Sequence, residues 1–435
     1  MSLVVRGSVD GRWVLADAGA ITGTGTGDAP AADQVLDASG CLVLPGLVNC
    51  HDHMYQQATP GYAADQGLFG WLTELYPVWA RIDAASVRAA ARAAMARLLL
   101  SGCTLTTDHH YVFPRGEPGI FEALVDAARE LGIRFQPCRG SMSLGQSAGG
   151  LPPDAVVEDH DAILADSERV IAAFHDPGPA SMCRISVAPC SPFSVTPELM
   201  RDSAELARRH GLRLHTHLAE TVDEEEFCLE KFGKRPVELL EELEWVGADV
   251  WLAHGVHFSP PEIERLGRSR TGVAHCPSSN LRLGAGACPL SELLAAGARV
   301  GLGVDGAASN EDYHLAGEVH QALLLARLRG GAGALDARAA WALATSGGAD
   351  CLGWPEVGAL EPGRRADLAL FRVDDLAHAA IADPLEALAL APPARAQAVV
   401  VEGRVVVRDG QLLTADEEDL ARDLRAAADR LRRAA

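Results

Sequence analysis

The chain has 435 residues, 48% apolar and 22% charged, which is the composition of a folded globular protein and excludes a disordered or fibrous one. The 38 basic and 59 acidic residues give a net charge of −21, which argues against a nucleic-acid polymer as partner. No apolar run is long enough to cross a membrane, and the N-terminus lacks a signal-peptide pattern. Ten cysteines are too sparse for a disulfide scaffold, so we expect a cytoplasmic protein with reduced thiols and no membrane partner.

Both ends of the chain have the pattern of short strands. Residues 1–45 are short apolar runs separated by Gly, Asp and Thr, and the same pattern returns over 363–415. In the second stretch, the Glu-Gly and Asp-Gly pairs at 402–403 and 409–410 are typical of tight turns. We therefore expect a small composite β-sandwich domain built from both termini. The segment 416–435 has its acids first and its arginines last, which predicts a terminal helix.

The middle of the chain, residues 46–362, alternates apolar strands with helices rich in Ala, Leu and Arg, for example 84–102 and 197–211. Eight such strands predict an α/β fold, a (β/α)8 barrel of the TIM type, as the catalytic domain. An open doubly wound sheet is the alternative. The predicted strands are 42–50, 103–108, 133–138, 184–189, 212–217, 250–254, 272–276 and 299–305.

Histidines and acids recur where these strands end, which is where such barrels place their active sites. The two histidines of a His-x-His pair on a strand point to the same side, so both can reach one metal ion. Nitrogen and oxygen ligands without a thiolate favour Zn2+ or Fe2+ at a catalytic site with an open position. The residues concerned are His51 and His53 after strand one, His215, His217 and Glu220 at strand five, His254 at strand six and Asp305 at strand eight. Two further histidines, His257 and His275, can equally be pocket histidines that bind no metal.

The distribution of lysine predicts a single metal ion. The chain has only two lysines, Lys231 and Lys234, and both follow strand five. Strand four ends in Ala-Pro-Cys-Ser at 188–191, with no lysine or carboxylate that could bridge a second metal. A binuclear centre bridged by a carboxylated lysine is therefore not expected.

Five segments together resemble the deaminase branch of the amidohydrolase superfamily: PGLVNCHDH, HTHLAE, AHGVH, HCPSSNLRLG and GVDGAAS. The resemblance covers nearly the whole chain and implies that one divalent ion, Zn2+ or possibly Fe2+, is held by His51, His53, His217 and Asp305. It also implies that Glu220 shuttles protons, that His254 contacts the attacking water, and that the protein is a homo-oligomer.

The residues themselves agree with that chemistry. Asp305 can accept a proton from water, and Glu220 lies three residues after a candidate ligand, close enough to carry a proton to a ring nitrogen and then to a leaving amine. The expected reaction is hydrolytic deamination, which yields ammonia and a carbonyl. A member of the family that binds metal without catalysis is an alternative, but it would be expected to lack one of these acids.

Further segments resemble bacterial 8-oxoguanine deaminases and the related hydroxyatrazine ethylaminohydrolases: HDHMYQQ, LFGWLTELYPVWARI, SGCTLTTDHHYVFP, SLGQSAGGLPPD and APCSPFSV. The resemblance implies a small heterocyclic base as substrate, with 8-oxoguanine converted to urate and ammonia. An s-triazine aminohydrolase or chlorohydrolase, or a guanine or pterin deaminase, is the alternative. An amide-bond hydrolase stays open as well, because Arg115 and Arg139 could clamp a substrate carboxylate.

Several residues are candidates for substrate contact. By resemblance to guanine-type deaminases, Gln56 reads the purine edge, and an amide offers the donor and acceptor that such an edge requires. Cys190 and Ser191 stand where guanine deaminases carry an arginine, and each can donate a hydrogen bond to O8. Trp71, Tyr76 and Trp79 either stack on a planar ring or belong to the core. We expect Asp108, His109 and His110 to orient metal ligands or to pack, and Ser278 and Asn280 to bind substrate or brace the metal site.

Overall fold

The computed structural model describes residues 1–433. Its strands form one closed barrel and two smaller sheets. The strands are β1 Leu3–Arg6, β2 Arg12–Asp17, β3 Ala20–Thr26, β4 Gln34–Asp37, β5 Cys41–Pro45, β6 Leu47–Asn49, β7 Cys103–His110, β8 Arg134–Ser141, β9 Ser186–Pro189, β10 Arg213–Leu218, β11 Val250–His254, β12 Gly272–His275, β13 Arg299–Leu302, β14 Leu368–Arg372, β15 Ala398–Val401, β16 Arg404–Arg408 and β17 Gln411–Leu412.

Helices fill the connections between the barrel strands and end the chain. The α-helices are α1 Leu68–Trp79, α2 Ala84–Leu100, α3 Ile120–Leu131, α4 His160–Phe174, α5 Pro197–Arg209, α6 Val222–Phe232, α7 Pro236–Glu242, α8 Pro260–Ser269, α9 Pro277–Arg282, α10 Leu290–Ala296, α11 Leu315–Gly330, α12 Ala337–Leu343, α13 Ser346–Leu352, α14 Pro384–Leu390 and α15 Glu417–Arg433. Short 3-10 helices cover Met54–Ala58, Gln146–Ala148 and Asp154–Val156. Of the terminal helix predicted over 416–435, residues 434–435 lie outside the described part of the chain.

The barrel is closed by eight parallel strands in the order β6, β7, β8, β9, β10, β11, β12, β13, with β13 returning to β6. The predicted (β/α)8 fold is confirmed, and the open doubly wound sheet is not observed. The strands are buried on both faces, as parallel strands covered by helices must be. Their carboxyl ends therefore meet at one mouth of the barrel.

The first predicted strand, 42–50, is two strands in two different sheets. Residues 41–45 pair antiparallel with β14, whereas 47–49 pair with β7 and β13 in the barrel. The chain changes sheet at Gly46, where the backbone packs so close to Thr104 that a Cβ would collide with that side chain. A continuous apolar run hides this change, because both halves are buried.

The remaining strands form two sheets, one ordered β3-β2-β1-β4 and the other β17-β16-β15-β14-β5. Their apolar faces share one core that contains Val5, Val14, Val43, Leu368 and Val400, so the sheets pack as a sandwich built from both termini. All pairs are antiparallel except β1 with β4. The boundaries predicted for this domain, 1–45 and 363–415, stay a prediction.

The turn residues expected in the second sheet behave as predicted. Glu402-Gly403 and Asp409-Gly410 all have positive φ between 51° and 75°, which is the conformation of a tight hairpin turn. No helix among the described residues is long and apolar enough to cross a membrane.

Candidate metal centre and catalytic cavity

The predicted ligands meet at the mouth of the barrel, fully or almost fully buried. The Nε2 atoms of His53 and His217 are 3.0 Å apart. The Nε2 atoms of His51 and His53 each lie 3.5 Å from Oδ1 of Asp305. Four side chains from three separate strand ends thus converge on one small volume.

Hydrogen bonds fix which nitrogen of each imidazole is free. His53 donates through Nδ1 to the carbonyl of His109 at 2.7 Å, and His217 donates through Nδ1 to the carbonyl of Cys190 at 2.7 Å. Both Nε2 atoms therefore carry lone pairs, and these face each other. Two lone pairs at that distance repel unless a cation lies between them.

His51 is oriented in the same way through a second histidine. His215 donates through Nδ1 to the carbonyl of Trp251 at 2.8 Å, so its Nε2 accepts the Nδ1 proton of His51 at 2.8 Å. The Nε2 of His51 is then a buried lone pair with no hydrogen-bond partner among the described residues. Burial lowers the pKa of His51, His53 and His217, which keeps all three in the neutral form that binds metals. These residues fit a divalent metal ion.

The carboxylate of Asp305 is held in place by its own neighbours. Burial alone would raise its pKa, but the nearby imidazoles of His53 and His254 and the hydroxyl of Ser279 lower the pKa below its usual value. Ser279 donates to Oδ2 at 2.6 Å, and the amide of Gly306 donates to Oδ1 at 2.7 Å. The acid is therefore ionised. Sequence reasoning missed Ser279, although it lies between the two candidates Ser278 and Asn280.

Glu220 and His254 face each other at the same mouth, with Oε2 of Glu220 3.5 Å from Nε2 of His254. Asn280 accepts the Nδ1 proton of His254 at 3.0 Å, so this candidate braces the site. Burial, followed by the charges of Asp305 and Glu224, raises the pKa of Glu220 well above its ordinary value. Burial thus favours the protonated form of Glu220, whereas the surroundings of Asp305 favour its ionised form, a contrast typical of acid–base sites.

The backbone is strained at three of these strand ends. Ala219, His254 and Asp305 have φ of 54°, 71° and 60°, in the left-handed region that non-glycine residues rarely adopt. Such strain persists only where surrounding contacts hold it, and it is concentrated at functional sites.

A narrow cavity adjoins this constellation. Its lining carries two carboxylates and no lysine or arginine, so it suits a molecule without negative charge that has apolar faces and a few polar edges. The lining residues are His53, Gln56, Leu68, Trp71, Leu72, Tyr76, Tyr111, Cys190, Phe193, His217, Glu220, His254, Leu283, Asp305 and Ser309.

Gln56 lines the cavity with an amide that is fully buried and has no hydrogen-bond partner at either its oxygen or its nitrogen among the described residues. Gly306 packs against this amide, and a Cβ at that position would collide with it. A buried amide left unpaired is costly, so this side chain has donors and acceptors to offer a ligand.

Of the other substrate candidates, Trp71, Tyr76 and Cys190 reach the cavity, whereas Trp79 and Ser191 are absent from its lining. Ser191 points away and shares a hydrogen bond of 2.7 Å with the hydroxyl of Ser194. Burial raises the pKa of the Cys190 thiol to about 12, so it stays a neutral S–H donor. Trp79 instead donates to the hydroxyl of Thr59 at 3.1 Å.

The histidines after β7 pack behind the ligands. His109 donates through Nε2 to the carbonyl of Ala188 at 2.8 Å, and its ring stacks on His217 with centroids 4.7 Å apart. His110 donates to the carbonyl of Val112 and packs against Tyr55. The ring of Tyr111, which sequence reasoning missed, lies 5.1 Å from His53 in the cavity wall.

The remaining polar candidates lie away from the cavity. Arg139 is buried and ion-paired with Glu158 and Asp166, both at 2.7 Å, so it cannot clamp a substrate. Arg115 lines a different cavity. His257 donates to the carbonyl of Ala285 at 2.9 Å, and Ser278 donates its amide to Glu318 at 3.0 Å.

Comparison with known proteins agrees with this architecture. The amidohydrolase family matches residues 42–406. The chain is 50% identical to 8-oxoguanine deaminase of Pseudomonas aeruginosa over 97% of this chain and 95% of that protein. It is 39% identical to hydroxydechloroatrazine ethylaminohydrolase of Pseudomonas sp. strain ADP over 89% and 82%. A crystal structure of atrazine chlorohydrolase from Arthrobacter aurescens TC1 complexed with zinc has a TM-score of 0.93 and 32% identity, and it covers 98% of this chain and 100% of that one.

The chain therefore belongs to the amidohydrolase family and is an enzyme of that family, as its motifs predict.

Proposed function

We propose that this enzyme hydrolytically deaminates a purine-type base, most specifically 8-oxoguanine to urate and ammonia. The observation that carries the proposal is Gln56, whose buried amide has no hydrogen-bond partner among the described residues and lies in the wall of a cavity that also contains Glu220 and Asp305. A primary amide matches the adjacent donor and acceptor of a purine edge. The 50% identity to a protein named 8-oxoguanine deaminase supports the same substrate.

We assign one metal ion to His51, His53, His217 and Asp305, with Zn2+ as the ion and Fe2+ as the alternative. When bound, such an ion activates water for attack at neutral pH. The zinc in the structural relative supports this assignment. Elemental analysis should find one metal per chain, and two tightly held metals would contradict the assignment.

The chain's own residues divide the proton transfers between them. Asp305 begins as a carboxylate and accepts the proton of the attacking water. Glu220 begins protonated and donates to a ring nitrogen; as a carboxylate it then takes the remaining proton of the added hydroxyl, which becomes the product carbonyl, and passes it to the departing amine. The proton held by Asp305 finally returns to Glu220, which resets both acids. His254, held by Asn280, contacts the attacking oxygen. Such acid–base transfers accelerate a reaction by on the order of 10²- to 10⁴-fold.

The cavity wall supplies the recognition. Trp71 stacks on the planar ring, and the Cys190 thiol donates a hydrogen bond to O8 of 8-oxoguanine. Guanine has no oxygen at that position, so it leaves the thiol without a partner. The cavity lining offers no cation for a carboxylate, which argues against the amide-bond hydrolase.

The second candidate is an s-triazine aminohydrolase or chlorohydrolase, favoured by the 39% identity to hydroxydechloroatrazine ethylaminohydrolase. Ammonia release from 8-oxoguanine, guanine, a pterin and an aminotriazine, and ethylamine release from hydroxyatrazine, distinguish the candidates. We expect the highest kcat/KM with 8-oxoguanine. A triazine that outruns every purine would favour the second candidate.

We also propose a cytoplasmic, homo-oligomeric enzyme. All ten cysteines are free, which fits a reducing compartment. The oligomeric state rests on the family resemblance, and sedimentation of the purified protein tests it: a monomer would contradict it.

A further inference from the structure

The turn that carries Glu220 is fastened by a second glutamate. Glu224 lies in the first turn of α6, fully buried, and its carboxylate reaches back over the turn between β10 and α6. Its Oε1 accepts the amide of Ala219 at 2.9 Å, and its Oε2 accepts the amide of Glu220 at 3.1 Å. Both oxygens of one side chain thus bind two consecutive amides.

These two bonds fall where the backbone is strained. Ala219 has φ of 54°, so the chain turns sharply between the ligand His217 and Glu220. A left-handed alanine needs support from its surroundings. Both amides are turned towards α6, and Glu224 is the acceptor that pairs them. Through Glu224, α6 therefore fixes the position of the Glu220 backbone and with it the direction in which the Glu220 side chain leaves the chain.

Glu224 has no other assignment in the structure. It is absent from the cavity lining, and none of the ion pairs among the described residues includes it. Its neighbour Glu225, by contrast, pairs with Arg235 on the outside of the same helix. Burying an acid without a cation is costly, and in Glu224 the two backbone hydrogen bonds offset that cost.

We propose that Glu224 is a positioning residue for the proton shuttle: it acts through the turn that presents Glu220 and touches neither metal nor substrate. This inference rests on the proposed role of Glu220. A carboxylate is required, because the amide of a glutamine would point an N–H donor at one of the two backbone N–H donors.

The test uses Glu224→Gln, Glu224→Ala and the matched control Glu225→Gln, assayed on whichever base the wild type deaminates fastest. We expect kcat to fall about tenfold in Glu224→Gln and further in Glu224→Ala, with KM and metal content unchanged. Glu225→Gln should match the wild type. Glu224→Gln is nearly isosteric, so its metal content and circular dichroism report whether the fold survives.

A double-mutant cycle separates positioning through Glu220 from general damage. In a Glu220→Gln background, adding Glu224→Gln should cause no further loss of kcat. A further loss of tenfold, a parallel loss of metal, or wild-type turnover in Glu224→Gln would overturn the inference. A wild type that deaminates no base would instead overturn the proposed function, so the two failures are distinguishable.

Discussion

At the scale of single residues, this enzyme places two acids in environments that shift their pKa values in opposite directions. The imidazoles and the hydroxyl around Asp305 lower its pKa, while burial raises the pKa of Glu220. The two roles follow from environment, not from residue type.

Replacing Glu220 by Gln tests this division of labour. The amide keeps the shape of the side chain but cannot carry a proton, so we expect kcat to fall by on the order of 10²-fold or more. Metal content, measured by elemental analysis, should stay at the wild-type level. Near-normal turnover would contradict this role and make His254 the first candidate for the proton shuttle.

We propose that Cys190 gives the enzyme a preference for 8-oxoguanine over guanine. Its thiol is neutral and lies in the cavity wall, 3.9 Å from Nδ1 of His217. A hydrogen bond left unmade at a buried site costs about 1–3 kcal/mol, or roughly 5- to 150-fold in kcat/KM. Cys190→Ala should reduce the wild-type ratio of kcat/KM for the two bases by this factor. If the ratio of kcat/KM for the two bases were unchanged in a metal-loaded Cys190→Ala variant, Cys190 would have no part in recognising the base.

Much of the site could be predicted residue by residue, and the exceptions have a physical reason. Histidines and acids at strand ends signal metal chemistry by type and spacing, and the family resemblance narrows the expected ligands to His51, His53, His217 and Asp305. Cys190 and Ser191 are adjacent and similar in chemistry, and both follow the end of β9, where no strand periodicity predicts which way a side chain points. Only the fold decides that Cys190 faces the cavity and Ser191 faces Ser194.

At the scale of elements, the helices and strands lie close to where the sequence patterns predict them, but the contacts between elements could not be predicted from those patterns. The break at Gly46 needs knowledge of Thr104, which is 58 positions later in the chain. Similarly, Glu224 is recognisable only once α6 folds back over the end of β10.

The link between β7 and the 3-10 helix over Met54–Ala58 makes stability depend on pH. Asp108, near the end of β7, accepts the amide N–H of Met54 at 2.9 Å, and its other oxygen is buried with no hydrogen-bond partner among the described residues. Burial raises the pKa of Asp108 from 3.8 to about 7. The folded state holds this proton more tightly than the unfolded state does, so ionising Asp108 destabilises the fold. This destabilisation is absent below pH 3.8, grows as the pH rises, and reaches its full size above about pH 7.

In the Asp108→Asn variant, the amide oxygen can still accept the hydrogen bond from the Met54 amide, but the side chain cannot ionise. The stability of Asp108→Asn relative to wild type should therefore rise between pH 5 and pH 8, by at most about 3 kcal/mol, because about two pH units separate pH 5 from the folded pKa of about 7. Urea unfolding of both proteins at these two pH values, in the same metal state, measures it. A difference that is equal at pH 5 and pH 8 would contradict the account.

At the scale of the whole molecule, a buried ion pair fastens the barrel to the sandwich. Arg134 on β8 donates through Nε and Nη2 to both oxygens of Asp367 at 2.9 and 3.0 Å, and the two side chains are 0% and 1% exposed. Asp367 directly precedes β14 of the second sheet. The two domains therefore share a charged contact that water cannot replace.

Arg134 also pairs through Nη2 with Glu402 at 2.6 Å, so Asp367→Ala leaves it one partner, and the loss of unfolding free energy should stay below the roughly 3–5 kcal/mol expected for a fully unpaired buried charge. The matched control is Asp374→Ala, whose exposed pair with Arg372 contributes little. Chemical denaturation of the three proteins compares them. Equal stability of both variants would show that Glu402 alone is enough to hold the Arg134 charge.

The central claim, that this barrel mouth deaminates 8-oxoguanine, is tested most directly by product analysis on the metal-loaded wild type. Urate, followed by its absorbance, and ammonia should appear in a 1:1 ratio from 8-oxoguanine, and both should stop when a chelator removes the metal. A protein that carries its metal and releases amine from a triazine, but forms no urate, would contradict the account.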